Sequence, residues 1–471
     1  MKPRHIRNLS ANIIQLIVNQ VFGLAIFYVL SIWLDKTSFG QLNWVLAVLM
    51  TAFNILACGI DQLAIKKIAQ GDDATQVMAI YIGHLLLSGL VFYGILALVC
   101  WVMPHQSTIF QMLLLIGAGK LMIYFSTPYK QLASGKEQFG LLAKMSVVSN
   151  IVRGVALMVF AILHLVSLTN VVLIFLAGDA LEFAATLYLC RVNIHLPFRV
   201  NLNPKPYFKL LKEALPQIGV VLFTSALARF DWIFIGLYLP AAKLAEYSFA
   251  YKAFEISTLP LLAVAPLLLP RFVSVVKERG FFPSHIFQLL KLELVFSMLI
   301  AMVMYLCWTP LVDWFTGGKY GAVNSSVILV LSICMPLMYF NNFLWTVGFA
   351  QGRLRLIFKV FAVTFAVNVV SDLVLIPLIG NVGAALAYLF AMLTQAVLYA
   401  LAIERQQAMR MVFNLLICCV CALVSGFIAS MVFNAVVPIV LSAVVIYALL
   451  SLIFKQIAFK NLNALRLAVS E

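Results

Sequence analysis

Charge is what this sequence has least of. Only 10% of its 471 residues are Asp, Glu, Lys or Arg, against 64% that are apolar. A soluble domain is usually about a quarter charged, so a water-soluble globule is excluded and lipid is the solvent that fits. Acidic residues are scarcer still, 17 against 32 basic ones, for a formal net charge of +15. Cysteine is present but unpatterned. Cys58, Cys100, Cys190, Cys307, Cys334, Cys418, Cys419 and Cys421 lie in or at apolar stretches, with no metal-ligand spacing and no pair in a loop where a disulfide would form. They read as small buried hydrophobes. Long polar segments are missing as well. The longest are near 191–213, 271–285 and 309–322, and none is large enough for a soluble catalytic domain.

What is there in quantity is apolar runs of membrane-spanning length, about 20 residues each. Fourteen are read, at roughly 12–34, 43–65, 77–103, 109–129, 141–166, 169–190, 214–239, 247–270, 286–308, 323–346, 356–376, 382–402, 411–432 and 436–455. Strands of a membrane barrel alternate and run only about ten residues, which excludes that architecture. The first run is too long for a signal-peptide core and lacks a small-residue cleavage site. With the N-terminus in the cytoplasm, the outer loops hold only Lys36, Lys243 and Lys319. Four more cations lie within helices, and the remaining 25 of the 32 Lys and Arg gather on the cytoplasmic side. This bias follows the positive-inside rule without a flip along the chain and puts both termini in the cytoplasm. It also accounts for the positive charge without any nucleic-acid partner.

The halves show weak internal similarity. A slide of 205 residues sets Asn12 on Gln217 and Asn19 on Thr224. Ala133-Ser134-Gly135-Lys136 resembles Ala350-Gln351-Gly352-Arg353, each after the fourth helix of its half. The expected architecture is an all-α polytopic membrane protein of about fourteen transmembrane helices. Two pseudo-symmetric six-helix bundles, 1–190 and 214–402, are joined by a cytoplasmic linker at 191–213. Two additional helices and a cytoplasmic tail follow at 403–471. Parallel repeats of this kind occur in transporters that place the substrate between their halves.

Three stretches resemble a known family. They are Phe39-Gly40-Gln41 with Gly59-Ile60-Asp61 and Lys66-Lys67, then Arg229-Phe230-Asp231 with Glu246 to Glu255. The most specific is Asn368 to Ala385, with an Ile376-Pro377 break and Gly380 and Gly383 opening the next helix. They resemble the Wzx-type oligosaccharide flippases of the multidrug/oligosaccharidyl-lipid/polysaccharide exporter superfamily. The resemblance runs through residue 402. It implies a two-bundle transporter of the bacterial cytoplasmic (inner) membrane, turning over undecaprenyl-diphosphate-linked oligosaccharide such as an O-antigen unit. A polysaccharide polymerase and a chain-length regulator would be partners besides membrane lipid. Drug exporters of the superfamily often carry an acidic residue in helix one, and lipid II flippases carry an arginine there. This first helix has no acid and no arginine after Arg7. A cation-coupled drug or small-metabolite exporter is the alternative. An enzyme acting on the same lipid-linked sugars would present a sizeable outer loop with catalytic residues, whereas these loops are short and hold only Asp35, Glu246 and Asp313 as acids.

A charge at the centre of a spanning helix costs about 2.5–3.5 kcal/mol on insertion scales, so each one needs a cavity or a partner. Lys120, Arg153 and Arg229 fall near mid-helix and suit a diphosphate, Arg as a bidentate fork and Lys as a point charge. Internal pairing with Asp179, Glu182 and Asp231 is the other reading. Asp179 and Glu182, three apart, share a helix face, so they form either a proton or sodium coupling site or salt bridges to Arg153 or Lys120. No other cofactor and no metal is expected. Lys252 and Glu255, also three apart, are expected to pair with each other. Asn12, Gln15 and Asn19 form a polar stripe on the first helix that suits sugar hydroxyls or interhelix hydrogen bonds equally. Pro260, Pro266 and Pro336 should kink their helices. Trp101, Trp308, Trp314 and Tyr320 fit interfacial anchoring at the outer boundary.

Overall fold

The computed structural model describes the backbone of residues 3–102, 107–194, 199–214, 229–261, 272 and 286–457. Lipid cannot satisfy free backbone groups, so a spanning chain must bond to itself. Every ordered element among the described residues is accordingly helical. Eleven of these helices are long and apolar enough to cross a membrane, and each of the fourteen expected runs has a helical counterpart in whole or in part. The chain forms two compact units. The first comprises 1–236 with 240–245, and the second comprises 237–239 with 246–471.

The first unit begins with α1 (Pro3–Trp33) and α2 (Lys36–Leu56). Between them Asp35 caps α2 by accepting from the Ser38 N–H at 2.9 Å. Those bonds from Ser38 hold the Asp35 carboxyl below the usual carboxylate range. The run expected as one helix at 43–65 is two. Cys58 and Gly59 have positive φ, 50° and 65°, and this left-handed step ends α2 and starts α3 (Ile60–Ala69). Glycine adopts such a φ without steric cost, and apolar content alone does not reveal the break. There follow α4 (Ala74–Val102), α5 (Ser107–Gly135), α6 (Phe139–Ile162) and α7 (Leu168–Ile194). α1 packs along α6, while α7 packs against both α5 and α6.

Residues after α7 fold back onto the start of α4. Asn201 N–H bonds to the Ala79 carbonyl at 2.9 Å, and His84 lies 3.0 Å from the Tyr207 hydroxyl and 2.8 Å from the Leu56 carbonyl. Lys67 pairs with Glu213 at 2.8 Å. The unit also includes α8 (Phe230–Tyr238) as far as Gly236, and its Ile233 carbonyl accepts from the Trp44 indole N–H at 3.2 Å.

The second unit contains α9 (Ala241–Ser257, from Glu246 on), α10 (Ile286–Thr316), α11 (Ser325–Ala350), α12 (Leu354–Ile379), α13 (Asn381–Leu401), α14 (Arg405–Val432) and α15 (Val436–Ile453). α9 ends three residues before Pro260, as the lost donor and ring clash of proline require. Pro266 lies outside the described residues. α11 runs on through Pro336. The break expected at Ile376-Pro377 falls later. α12 includes Pro377 and stops at Gly380, where φ is 65° and ψ −138°, a conformation only glycine adopts readily. Gly383 then lies so close to the Leu375 carbonyl that a Cβ would overlap it, which is why a small residue opens α13.

The aromatic belt divides. Trp101 and Trp314 are 80% and 82% exposed and can reach an interface. Trp308 and Tyr320 are buried instead. The Trp308 indole donates to the Gly321 carbonyl at 2.9 Å, and Tyr320 stacks on Phe249 at 4.3 Å. The 317–324 loop curls because Asp313 accepts from the Gly321 and Ala322 N–H groups, and the curl draws both rings into the protein.

Candidate functional site: a buried charge cluster in the first unit

Three helices of the first unit bring five charged side chains together. α5 contributes Lys120 near its middle and Lys130 ten residues on, about 15 Å along the axis. α6 contributes Arg153, and α7 contributes Asp179 and Glu182. Asp179 lies between two cations. Its Oδ1 accepts from the Arg153 guanidinium, and its Oδ2 stands 3.2 Å from Lys120 Nζ. Glu182, one turn along α7, pairs with Lys130 and accepts from the Ser149 backbone N–H at 2.9 Å. Arg153 also places its guanidinium 4.6 Å from the Phe175 ring centroid. The acids are nearly inaccessible, with side chains 1% and 5% exposed.

Two glycines make this packing fit. A Cβ on Gly119 would press on the Asp179 side chain, and one on Gly178 would press on Arg153. Each glycine precedes a charged member of the cluster, so the neighbouring helix carries a long polar side chain across bare backbone.

The cluster does not balance. Three cations face two carboxylates, and Arg153 Nε is buried with no hydrogen-bond partner. A buried donor left unmade costs about 1–3 kcal/mol, and a surplus buried charge costs more. An anion entering here would relieve both.

α1 borders the cluster along α6. Asn150, three residues before Arg153, donates to Asn19 at 3.0 Å, and the Gln15 side-chain oxygen is buried without a partner. Gly154 lies where a Cβ would meet the Phe22 ring, so the two helices are close here. The Asn12 side chain lies outside the described residues.

The sequence profile described as "Polysaccharide biosynthesis protein" matches residues 6–276, more than half the chain and all of this cluster. The chain belongs to this polysaccharide biosynthesis protein family. It is thereby a multi-pass membrane transporter of the multidrug/oligosaccharidyl-lipid/polysaccharide exporter superfamily, and not an enzyme. No match to a curated protein sequence was found. Solved structures share the fold. One is a lipid II flippase MurJ in an inward closed conformation, at 14% identity and TM-score 0.72, covering 94% of this chain and 98% of that one. Another is an inward-facing multidrug resistance MATE family transporter, at 14% identity and TM-score 0.65, covering 86% and 98%. A superfamily transporter from Pyrococcus furiosus, whose description reports a reversed binding-pocket polarity, matches at 12% identity and TM-score 0.58, covering 87% and 96%.

Within this family member, then, the structure gathers Lys120, Arg153, Asp179 and Glu182 into one cluster, with Asn19 and Gln15 on the bordering helix. It places Arg229 and Asp231 elsewhere in the chain, at the start of α8. There the Arg229 guanidinium lies 4.1 Å from the Trp232 ring centroid, and Asp231 accepts from the Trp232 N–H at 2.8 Å. In the second unit Lys252 and Glu255 stand 2.9 Å apart on one helix face. Sequence reasoning missed Lys130 as a cluster member. It counts there as a cytoplasmic cation, yet its flexible stem carries the ammonium back to Glu182. Its position inside the last two turns of an apolar helix was the available signal.

Proposed function

We propose that this transporter flips an undecaprenyl-diphosphate-linked oligosaccharide, an O-antigen or other surface polysaccharide repeat unit. Movement is from the cytoplasmic to the periplasmic leaflet of the bacterial inner membrane. The observation that carries this reading is the surplus cation in the buried cluster of the first unit, with Arg153 Nε unpaired. Phosphate oxygens match both groups: the guanidinium offers a planar fork and Lys120 a compact charge. The amides of Gln15 and Asn19 supply donors and acceptors for sugar hydroxyls beside it. Binding would proceed by exchange. The diphosphate takes Lys120 and the free Arg153 edge, while Asp179 keeps one hydrogen bond to Arg153 and spares the guanidinium from full exposure. The lipid tail stays in the bilayer and the head group crosses by alternating access. The family's description in polysaccharide biosynthesis and the lipid II flippase among its structural likenesses support this substrate class. A polymerase and a chain-length regulator would receive the flipped unit. Coupling to H+ or Na+ is part of the proposal, with Asp179, Glu182 and Asp231 as its carboxylates.

The test is flipping of a fluorescent undecaprenyl-diphosphate oligosaccharide in proteoliposomes. Wild-type protein should flip it, and Lys120→Met should slow it about ten- to hundredfold, the equivalent of one charge-assisted hydrogen bond of about 1.5–3 kcal/mol. Flipping by wild type that Lys120→Met leaves unchanged would detach the cluster from the substrate. Failure of wild type across several sugar head groups would favour the cation-coupled small-molecule exporter.

A further inference from the structure

Glu293 lies in α10, a spanning helix of the second unit, and its Oε2 is buried with no hydrogen-bond partner. Nothing around it supplies a counter-ion among the described residues. Among the described residues three helices pack along α10, namely α11, α14 and α15. α9 also touches it, where Ser257 reaches Met304 and Phe249 meets Trp308, and the Lys252 that α9 carries is paired with Glu255. α11 and α15 contain no Asp, Glu, Lys, Arg or His at all, and α14 has only Arg405 and Arg410 near its start. Lys291 is two residues away on α10, about 200° around the helix, and its charge is felt at Cys418 on α14. Among the described residues Tyr339 of α11, itself 2% exposed, interacts electrostatically with Glu293. Cys334 of α11, Cys418, Cys419 and Cys421 of α14 and Tyr447 of α15 complete the titratable groups on the three helices. The Tyr447 hydroxyl is already committed to the Val295 carbonyl at 3.0 Å.

An ionised carboxylate in such a place would be unpaired, undissolved and in low dielectric, which is prohibitive; the group takes a proton instead. A metal ion is a poor fit, because hard cations want six or more oxygen ligands, and no cluster of three or more His, Cys, Asp or Glu exists among the described residues. A protonated carboxyl needs only one acceptor and can use its own second oxygen for a donor such as Tyr339. We propose that Glu293 is a proton-binding site of the second unit, holding a carboxylic acid at neutral pH and exchanging it only when α10 and α11 part enough to admit water. The site is independent of the substrate reading.

Infrared spectroscopy of the full-length protein in lipid tests this without substrate. Subtracting the Glu293→Gln spectrum from wild type at neutral pH should leave one carboxylic-acid carbonyl band per chain. That band should shift in deuterium oxide, and should move in frequency in Tyr339→Phe. A difference spectrum showing only ionised carboxylate bands would overturn the proposal. Should Glu293→Gln fail to fold, Glu293→Asp serves, because an acid band that arises from this position must then change frequency; an unmoved band would equally overturn it. Because the band is read at rest, its absence removes the proton site and leaves the flippase untouched. A band that persists while flipping fails does the reverse.

Discussion

At the scale of single residues, Asp179 is the keystone of the charge cluster, because two cations share it. Removing its charge would strand Lys120 and Arg153 together in the bilayer. Breaking a buried pair by deleting one partner typically costs about 3–5 kcal/mol, so Asp179→Asn should lower the yield of folded protein and its unfolding temperature in detergent. Lys120→Met should lower neither, since the Arg153–Asp179 pair remains neutral and intact. The contrast between those two melting curves separates a structural counter-ion from a surplus charge kept for a ligand. Equal destabilisation in both would mean Lys120 is as structural as Asp179. Gly178→Ala is a subtler probe. Its added methyl presses on the Arg153 side chain, which a flexible stem can absorb only by moving the guanidinium, so flipping should fall several-fold with little change in melting temperature. The charged members at mid-helix were legible in sequence because a charge in lipid must be explained. Which charge meets which was not legible, since Asp179 and Glu182 could each reach several cations until the packing of α5, α6 and α7 is known. The two spacer glycines were silent for the same reason: their role lies in a neighbour's side chain.

Elements show a different division. That the apolar runs form spans could be read, because runs near 20 residues have few alternatives in a chain so poor in charge, and eleven of the fourteen expected runs are helices long and apolar enough to cross among the described residues. Their ends could not, because they depend on one or two backbone angles. α5 stops at Glu137 and α11 at Gly352, each with positive φ. In both, that residue's N–H bonds three carbonyls back and the next N–H bonds five back. This is the Schellman closure. The two ends correspond two positions away from the sequence match that pairs Gly135 with Gly352. α3, α6 and α15 close in the same way at Gly71, His164 and Lys455, so the closure marks helix ends generally and carries no argument for a repeat. The tight α12–α13 turn is more demanding. Gly380 requires its backbone angles and Gly383 its missing Cβ. Overpacking a close contact typically costs about 1–3 kcal/mol, so Gly383→Leu should reduce thermal stability by at least that range. The clash is with the Leu375 backbone, so trimming the Leu375 side chain to Ala should not rescue it. Melting of Gly383→Leu at the wild-type temperature would show that the turn can open without penalty.

For the whole molecule, the outer surface argues the same membrane placement as the charges do. On α15, Val437, Leu441, Val445, Leu449 and Leu452 are all between 54% and 68% exposed. They recur every three or four residues and so form one stripe. An apolar stripe of that length is stable against lipid tails and unstable against water. Lys and Arg have the complementary distribution, with Lys36, Lys243 and Lys319 alone assigned to outer loops. Both observations bear on the membrane placement, but only the cation bias speaks to which way the chain faces, because hydrophobic burial is blind to direction. The orientation is therefore a separate prediction. Alkaline phosphatase is active only outside the cytoplasm, so a fusion following Lys319 should be active and one following Glu471 inactive, with the opposite pattern for a fluorescent protein that matures only inside. Activity at both points would mean that the helices from α11 to α15 make an even number of crossings between them, and one of the two closing helices, α14 or α15, would then lie along the membrane instead of through it. The reverse of both signals would invert the chain and turn the charge cluster's cytoplasmic approach, through Lys130, toward the outside.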